Sequence, residues 1–249
     1  MKLVPCICTL VLFAFAATLH GETAPSVASI GINFVGKDVK AQTLEPTQSA
    51  GVEGVAQDHW NHLTVSSGDA NGHSNSGTLP KLNDNSGKEV KGANVTVDAK
   101  SDTQVWPSTG ASWGFADANL VLQTGMISPS PTITVKGIPY KNYDVYVYVS
   151  AGDNGGQGSA TIAVADKAAG KVDATATYFC NYNWQEGKYV KSEAKTLDDA
   201  KASKGSNYIC FTGNTARDIT VDFKGTLGGG WIGLAAIQIV QTPEPKARR

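Results

Sequence analysis

Short segments in which apolar and polar residues alternate recur along the whole chain, and they limit its fold more than any other feature of the sequence. They are SIGINFV (29–35), GANVTVD (92–98), TITVKG (132–137), SATIAVA (159–165) and DITVDFKG (218–225). Successive side chains of a β-strand point to opposite faces, so each segment would bury one face and expose the other. This pattern is typical of antiparallel strands that cover a core on one side.

The remaining sequence supports the same fold class. Glycine is abundant, with 27 residues, and helical patterns are confined to the short stretches 116–126 and 195–203. The last apolar segment, WIGLAAIQIV (231–240), is apolar on both faces, as expected near the middle of a sheet. The sequence therefore predicts an all-β protein, an antiparallel β-sandwich of about ten strands such as a jelly roll.

Three regions are expected along the chain. Residues 1–21 contain a lysine, an apolar run from Leu3 to Ala17 and a polar end, which predicts a secretory signal peptide. Residues 26–241 would form a single sandwich, and 242–249 a disordered tail with two prolines. We expect a secreted or cell-surface protein with no membrane span after the signal is removed.

The segment from about 36 to 87 has few alternations and many Gly, Asn and Ser residues. We predict that it is a long loop covering one sheet. The strand KNYDVYVYVS (141–150) carries Tyr146 and Tyr148 on the face opposite its valines. An uncovered tyrosine pair would form an apolar patch, so we predict burial under this loop. The alternative is that the two rings form the floor of a ligand groove.

The charge and the cysteine content of the chain limit which partners the protein could bind and which redox compartment it occupies. The formal net charge is −1 with 17% charged residues, and no basic stripe is present, so nucleic acid and anionic membranes are poor candidate partners. Only Cys180 and Cys210 remain after signal removal. Two cysteines in an exported chain usually pair, which predicts a disulfide that stabilises by roughly 3 kcal/mol.

Five blocks of sequence resemble a family of exported β-sandwich domains common in planctomycete and verrucomicrobial proteins. They are SIGINFVG (29–36), AGVEGVAQDHWNHL (50–63), ITVKGIPYKNYDVYVYVSAGDN (133–154), SNYICFTGN (206–214) and GLAAIQIV (233–240). The resemblance implies a surface or extracellular module of carbohydrate-binding-like shape, without assigned catalytic residues. Some members end in a Pro-Glu-Pro sorting tail with an apolar helix. Pro243-Glu244-Pro245 resembles its start, but only Lys246-Ala247-Arg248-Arg249 follows.

Catalytic and metal-binding patterns are weak. His59, His62 and His73 are the histidines after the signal, and no Gly-x-Ser-x-Gly accompanies them. His59 and His62 beside Asp58 could ligate zinc, but two spaced histidines more often pack or face solvent. No spacing of acidic residues nominates a catalytic pair. We therefore favour a protein that is not an enzyme.

Calcium is the one cofactor that the acidic loops could hold. The candidates are Asp69 and Asn71 in DANGHSN, and Asp153 and Asn154 in GDNGG. The same residue types are those that tight turns require, and none of these loops matches a calcium-binding loop of known pattern. Turn formation is therefore the favoured interpretation, and no metal site is predicted.

Aromatic residues in polar loops are the remaining site candidates. Trp184 lies between Asn183 and Gln185, and Trp106 and Trp113 are flanked by turn residues. Indole rings with neighbouring amides suit the faces and hydroxyls of sugars, whereas packing of the loops on themselves is the alternative. The sequence thus predicts an exported, non-catalytic binding module that contacts complex carbohydrate or cell-envelope material. The alternatives are a structural or adhesive surface protein with protein partners, and a hydrolase or lyase acting on polysaccharide.

Overall fold

The structure, a computed structural model, describes residues 27–36, 43–65, 77–98, 104–107, 117–123, 125–128, 130–166, 171–183, 187–228 and 230–243. Nearly all regular structure in these ranges is β. The strands are β1 (Ser29–Gly36), β2 (Asn61–Val65), β3 (Gly77–Leu79), β4 (Leu82–Asn83), β5 (Glu89–Val90), β6 (Asn94–Asp98), β7 (Gln104–Pro107), β8 (Gly125–Ser128), β9 (Thr132–Lys136), β10 (Tyr143–Asp166), β11 (Lys171–Tyr182), β12 (Tyr208–Asn214), β13 (Ile219–Lys224) and β14 (Gly230–Gln241). The two predicted helical stretches contain α1 (Ala118–Leu122) and α2 (Leu197–Ala202), which begin after the N-caps Asp117 and Thr196.

Strand β10 is long enough to belong to both layers of the sandwich. In its first half, Val147 pairs with Ile237 of β14 and with Ile209 of β12. In its second half, β10 pairs instead with β13 and β11. The register shifts between Ala151 and Gly156, and Gly155 there has a φ of 62°. This irregularity lets one strand pass from one sheet to the other.

These strands form one continuous hydrogen-bonded sheet that β10 divides into two layers, called here the first and the second sheet, and β4 pairs separately with β5. The first sheet runs β2-β1-β14-β10-β12, with β8 and β7 attached to β14, and the second runs β3-β6-β9-β13-β10-β11. Among the pairs of the two sheets described here, β1 with β2 is parallel and the others are antiparallel. The predicted all-β antiparallel sandwich is therefore confirmed.

The core lies between the inner faces of the two sheets. It contains the apolar positions that the alternating segments predicted, and fully burying each such side chain stabilises the fold by about 1.5–3 kcal/mol. The buried residues include Ile30, Ile32 and Phe34 of β1, Val95 and Val97 of β6, Ile133 and Val135 of β9, Val145, Val147 and Val149 of β10, Ile219, Val221 and Phe223 of β13, and Ile237 and Ile239 of β14.

A second apolar cluster lies on the outer face of the first sheet, beneath the predicted covering loop. The cluster contains Leu44, Ala50, Trp60, Val121, Leu122, Tyr148, Ala235 and Ala236. Tyr148 is fully buried, and its hydroxyl donates to Gln238 Oε1 at 2.6 Å and accepts from the Val52 amide at 3.2 Å. The part of the segment before β2 covers the sheet and Tyr148 is buried as predicted, whereas Tyr146 remains half-buried and the later part of the segment contains β2, β3 and β4.

The predicted disulfide between Cys180 and Cys210 is wrong, because both thiols are free. Cys180 lies in β11 of the second sheet and faces the core. Cys210 lies in β12 of the first sheet between the core residues Ile209 and Phe211, so its side chain points away from the core. The two sulfurs are therefore on different sides of the first sheet. Burial raises the pKa of Cys180 to about 12 and that of Cys210 to about 11.

Reduction should leave the stability of this protein unchanged. We expect the unreduced protein to show two free thiols by mass analysis after alkylation in denaturant, and the same thermal midpoint with and without reductant. In the folded protein both thiols should react slowly, since each is buried and protonated at neutral pH. If neither thiol reacts with the alkylating agent in denaturant, the free-thiol assignment is wrong.

Several sequence predictions concern parts of the chain outside the described residues. These are the signal peptide (1–21) and most of the tail, from 244 onward. In the part of the chain that the structure describes, no helix has the length and apolar character needed to cross a membrane.

Candidate functional site

The structure describes only some of the residues predicted to contact ligand. Asn183 is exposed immediately after β11, and Trp106 lies in β7, where it pairs with Met126 of β8. Trp113, Trp184 and Gln185 lie outside the described residues. The predicted ligand site therefore stays a prediction.

The structure describes two of the four weak calcium candidates. Asp153 and Asn154 lie at the bend of β10, whereas Asp69 and Asn71 are outside the described ranges. Among residues that the structure describes, no group of three or more His, Cys, Asp or Glu residues is arranged to hold a metal ion.

His59 and His62 bond to the protein's own polar groups. His59 Nδ1 lies 3.2 Å from the Asn85 carbonyl. His62 Nε2 lies 3.0 Å from the Leu44 carbonyl, and its Nδ1 lies 3.2 Å from the Asn33 amide nitrogen. Burial lowers the pKa of His62, so the neutral ring with its proton on Nε2 satisfies both contacts. His73 is outside the described residues.

Two rows of side chains cross the outer face of the first sheet beside the covering loop. In the first row, Tyr148 of β10 is opposite Tyr208 of β12, and Tyr208 forms a parallel bridge with Lys191. In the second row, Tyr146 is opposite Cys210. Glu193 is two residues beyond Lys191 and is likewise exposed, while Ser192 between them is buried. We call Tyr146, Tyr208, Cys210, Lys191 and Glu193 the tyrosine patch.

The two aromatic rings of the tyrosine patch pack against each other and against Tyr148 of the buried cluster. The centroids of the Tyr146 and Tyr208 rings are 6.1 Å apart with an interplanar angle of 25°. Tyr189 and the buried Tyr148 also pack against Tyr208, with ring-centroid distances of 6.4 and 6.3 Å. Both Tyr146 and Tyr208 are half-buried. The patch thus presents parts of two aromatic rings on a rigid sheet.

The polar groups of the patch are neutral or paired. Burial raises the pKa of Tyr146, whose hydroxyl bonds to the Cys210 thiol, so both groups stay protonated near neutral pH. Lys191 Nζ lies 2.8 Å from Glu193 Oε1, and this hydrogen bond raises the pKa of Lys191. The patch therefore offers hydrogen-bond donors and acceptors around ring surfaces.

Sequence analysis missed Tyr208, Lys191 and Glu193. A usable signal was present in SNYICF (206–211), where Tyr208 and Cys210 alternate with two apolar residues just as Tyr146 and Tyr148 alternate with valines. Two strands with this pattern can place tyrosines on one outer face, provided that they are neighbours. The sequence of either strand alone does not show which strands are neighbours in the sheet.

Comparisons with known proteins give little further information. No family model matches the chain, and no curated protein matches it. One similar solved structure is a carbohydrate-binding module, CBM28, described as specific for non-crystalline cellulose. It is 14% identical, with 78% of this chain and 84% of that chain covered and a TM-score of 0.25. A likeness of this size does not identify a shared binding site.

Proposed function

We propose that this protein is an exported, non-catalytic binding module whose tyrosine patch contacts complex carbohydrate. The observation that carries the proposal is the half-buried pair Tyr146 and Tyr208, held beside the Lys191–Glu193 ion pair. Aromatic ring surfaces pack against the C–H faces of sugar rings, and nearby charged groups bond to sugar hydroxyls. The hydroxyl of Tyr146 and the thiol of Cys210 add further hydrogen-bonding groups to this surface.

The described residues on either side of the predicted contact residue Trp184 are Asn183 and Gly187. The chain leaves β11 at the exposed Asn183 and returns through Gly187, beside Leu120 of α1, to Tyr189. The Tyr189 ring packs against Tyr148, with centroids 5.1 Å apart. Trp184 and Gln185 lie between these described residues in the sequence and stay predicted contact residues. Export is supported by the signal-peptide sequence.

Retention on polysaccharides tests the proposal. The protein is mixed with a panel of soluble and insoluble polysaccharides, and we expect wild type to be retained on at least one. Tyr146→Ala and Trp184→Ala should each weaken retention about tenfold or more, because losing one aromatic contact from a binding surface costs roughly 1–3 kcal/mol. Their thermal midpoints should stay high enough for the variants to be folded at the assay temperature.

Tyr178→Ala is the matched control. Tyr178 is also a half-buried tyrosine, but it packs against Phe211 at the edge of the core, under Lys195 Nζ at 3.2 Å from the ring centroid. This variant should lose packing yet retain glycan. If Tyr146→Ala and Tyr178→Ala lose retention equally, the loss is caused by reduced stability and not by removal of a glycan contact. A reducing-sugar assay on the same mixtures that detects released ends would instead support an enzyme, and retention on no glycan would favour a surface protein with protein partners.

A further inference from the structure

The outer face that carries the tyrosine patch also carries the carboxylate of Asp144. Its neighbours Tyr143 and Val145 are buried in the core, so Asp144 points to the outer face. Tyr146 has the same direction two residues later, which places the two side chains about 7 Å apart along the strand. After burial, the charge of Asp144 is the largest cause of the raised pKa of the Cys210 thiol. Asp144 therefore borders the patch beside Tyr146.

A β-bulge holds the Asp144 carboxylate in place. The pairing of β10 with β12 shifts its register between Tyr143 and Val145, and Gly213 on the β12 side has a φ of 74°. The Gly213 amide donates to Asp144 Oδ1 at 2.9 Å. Asp144 is half-buried and forms no ion pair within the part of the chain that the structure describes. Its second oxygen, Oδ2, can therefore bond to a ligand on the patch.

The charges of this surface favour a positively charged ligand group. Lys191 is the cation of the tyrosine patch, and it is already paired with Glu193 at 2.8 Å. With Asp144 included, two carboxylates and one ammonium leave the surface with a net negative charge. The faces of the Tyr146 and Tyr208 rings are also electron-rich. A cation beside them is attracted both by the ring faces and by the unpaired carboxylate.

We propose that the tyrosine patch selects glycans that carry free amino groups, and that Asp144 determines this specificity. The inference rests on the proposed function and adds the chemical class of the glycan. The protonated amine of a hexosamine unit would lie over the exposed part of the Tyr146 ring and bond to Asp144 Oδ2. An N-acetylated unit brings no charge to this position, and a uronic acid would bring a like charge to Asp144 and Glu193.

Ligands that differ only in the amine test this inference. Short β-linked glucosamine oligomers, and the fully N-acetylated form of the same oligomers, are titrated into the ¹⁵N-labelled full chain, with oligogalacturonate as the acidic probe. We expect the amino form to bind about tenfold more tightly than the acetylated form, and oligogalacturonate to bind most weakly. The amide resonance of Gly213 should shift on binding, because this amide is bonded to the Asp144 carboxylate.

Asp144→Asn isolates the charge, because the amide oxygen can keep the bond to the Gly213 amide. We expect this variant to bind amino oligomers about tenfold more weakly, with its affinity for the acetylated form and its thermal midpoint unchanged. Asp98→Asn is the matched control. Asp98 is the exposed last residue of β6, on the outer face of the second sheet, so the same charge is removed from the other side of the sandwich. The control should bind amino oligomers as tightly as wild type.

The possible failures separate the inference from the proposed function. Equal affinity for the amino and acetylated oligomers, lost in both cases in Tyr146→Ala, would overturn the inference and leave the proposed function standing. Equal losses in Asp144→Asn and Asp98→Asn would show general attraction of a polycation and would also overturn the inference. Tighter binding of a lysine-rich peptide than of any amino oligomer would assign the surface to a protein partner. Binding of no glycan at all would overturn the proposed function together with the inference.

Discussion

Replacing Tyr148 by alanine should destabilise the protein by about 3–5 kcal/mol, because it leaves a cavity where a large buried aromatic side chain was. The Tyr148 ring packs edge-on against Trp60, with centroids 6.1 Å apart, and lies between the first sheet and its covering loop. The variant also removes the hydroxyl that joins Gln238 to the Val52 amide. Chemical denaturation monitored by circular dichroism measures the change in the free energy of unfolding.

Tyr148→Phe separates the two contributions. It keeps the ring but leaves two buried polar groups without the tyrosine hydroxyl, so we expect a loss of about 1–3 kcal/mol. Gln238 would retain its bond to the Val55 carbonyl, at 2.6 Å. A Tyr148→Ala variant as stable as wild type would mean that the covering loop does not pack on the sheet.

Gly137→Ala is the second substitution with a large expected effect, a loss of about 2–5 kcal/mol. Gly137 follows β9 with a φ of 72°, a conformation that disfavours any side chain by about 1–2 kcal/mol. A Cβ at this position would lie 2.2 Å from the Gly92 carbonyl oxygen, which belongs to the turn before β6. Backbone must move to relieve such a contact, and overpacking of this kind adds about 1–3 kcal/mol.

Gly213→Ala is the control for Gly137→Ala. Gly213 has nearly the same φ, 74°, but a Cβ there would meet no atom within 4 Å. We expect this variant to lose only the conformational contribution, about 1–2 kcal/mol. Thermal or urea unfolding of the two variants compares them directly. Equal losses would show that the close approach to Gly92 is unimportant for stability.

Local sequence pattern predicted the strands well because side-chain direction along a strand depends only on neighbouring residues. In β6, β9 and β13 every apolar position of the alternating segments is buried. The same argument placed Tyr146 and Tyr148 on the face opposite their valines. It also supported burial of the two tyrosines beneath a loop, because soluble proteins seldom expose an apolar patch that is not a binding site.

The disulfide prediction failed for a related reason. Composition and compartment favoured pairing of Cys180 with Cys210, but pairing requires that both side chains meet on one side of one sheet. Cys180 faces the core opposite Gly158, whereas Cys210 is opposite Tyr146 on the outer face. The alternation within SNYICF, with Ile209 and Phe211 apolar, already indicated the direction of Cys210 but not that of Cys180.

The sequence by itself determined the fold class, the strands with alternating apolar residues, the existence of a covering segment and which residues of each alternating strand share a face. Only the tertiary structure decided that β10 bends between two sheets and that Tyr146 and Tyr208 become neighbours. The physical reason is that the alternation of apolar and polar residues, with its period of two, fixes which side chains share a face but is compatible with any partner strand. Which strands pair, and in which register, depends on the packing of residues far apart in the chain.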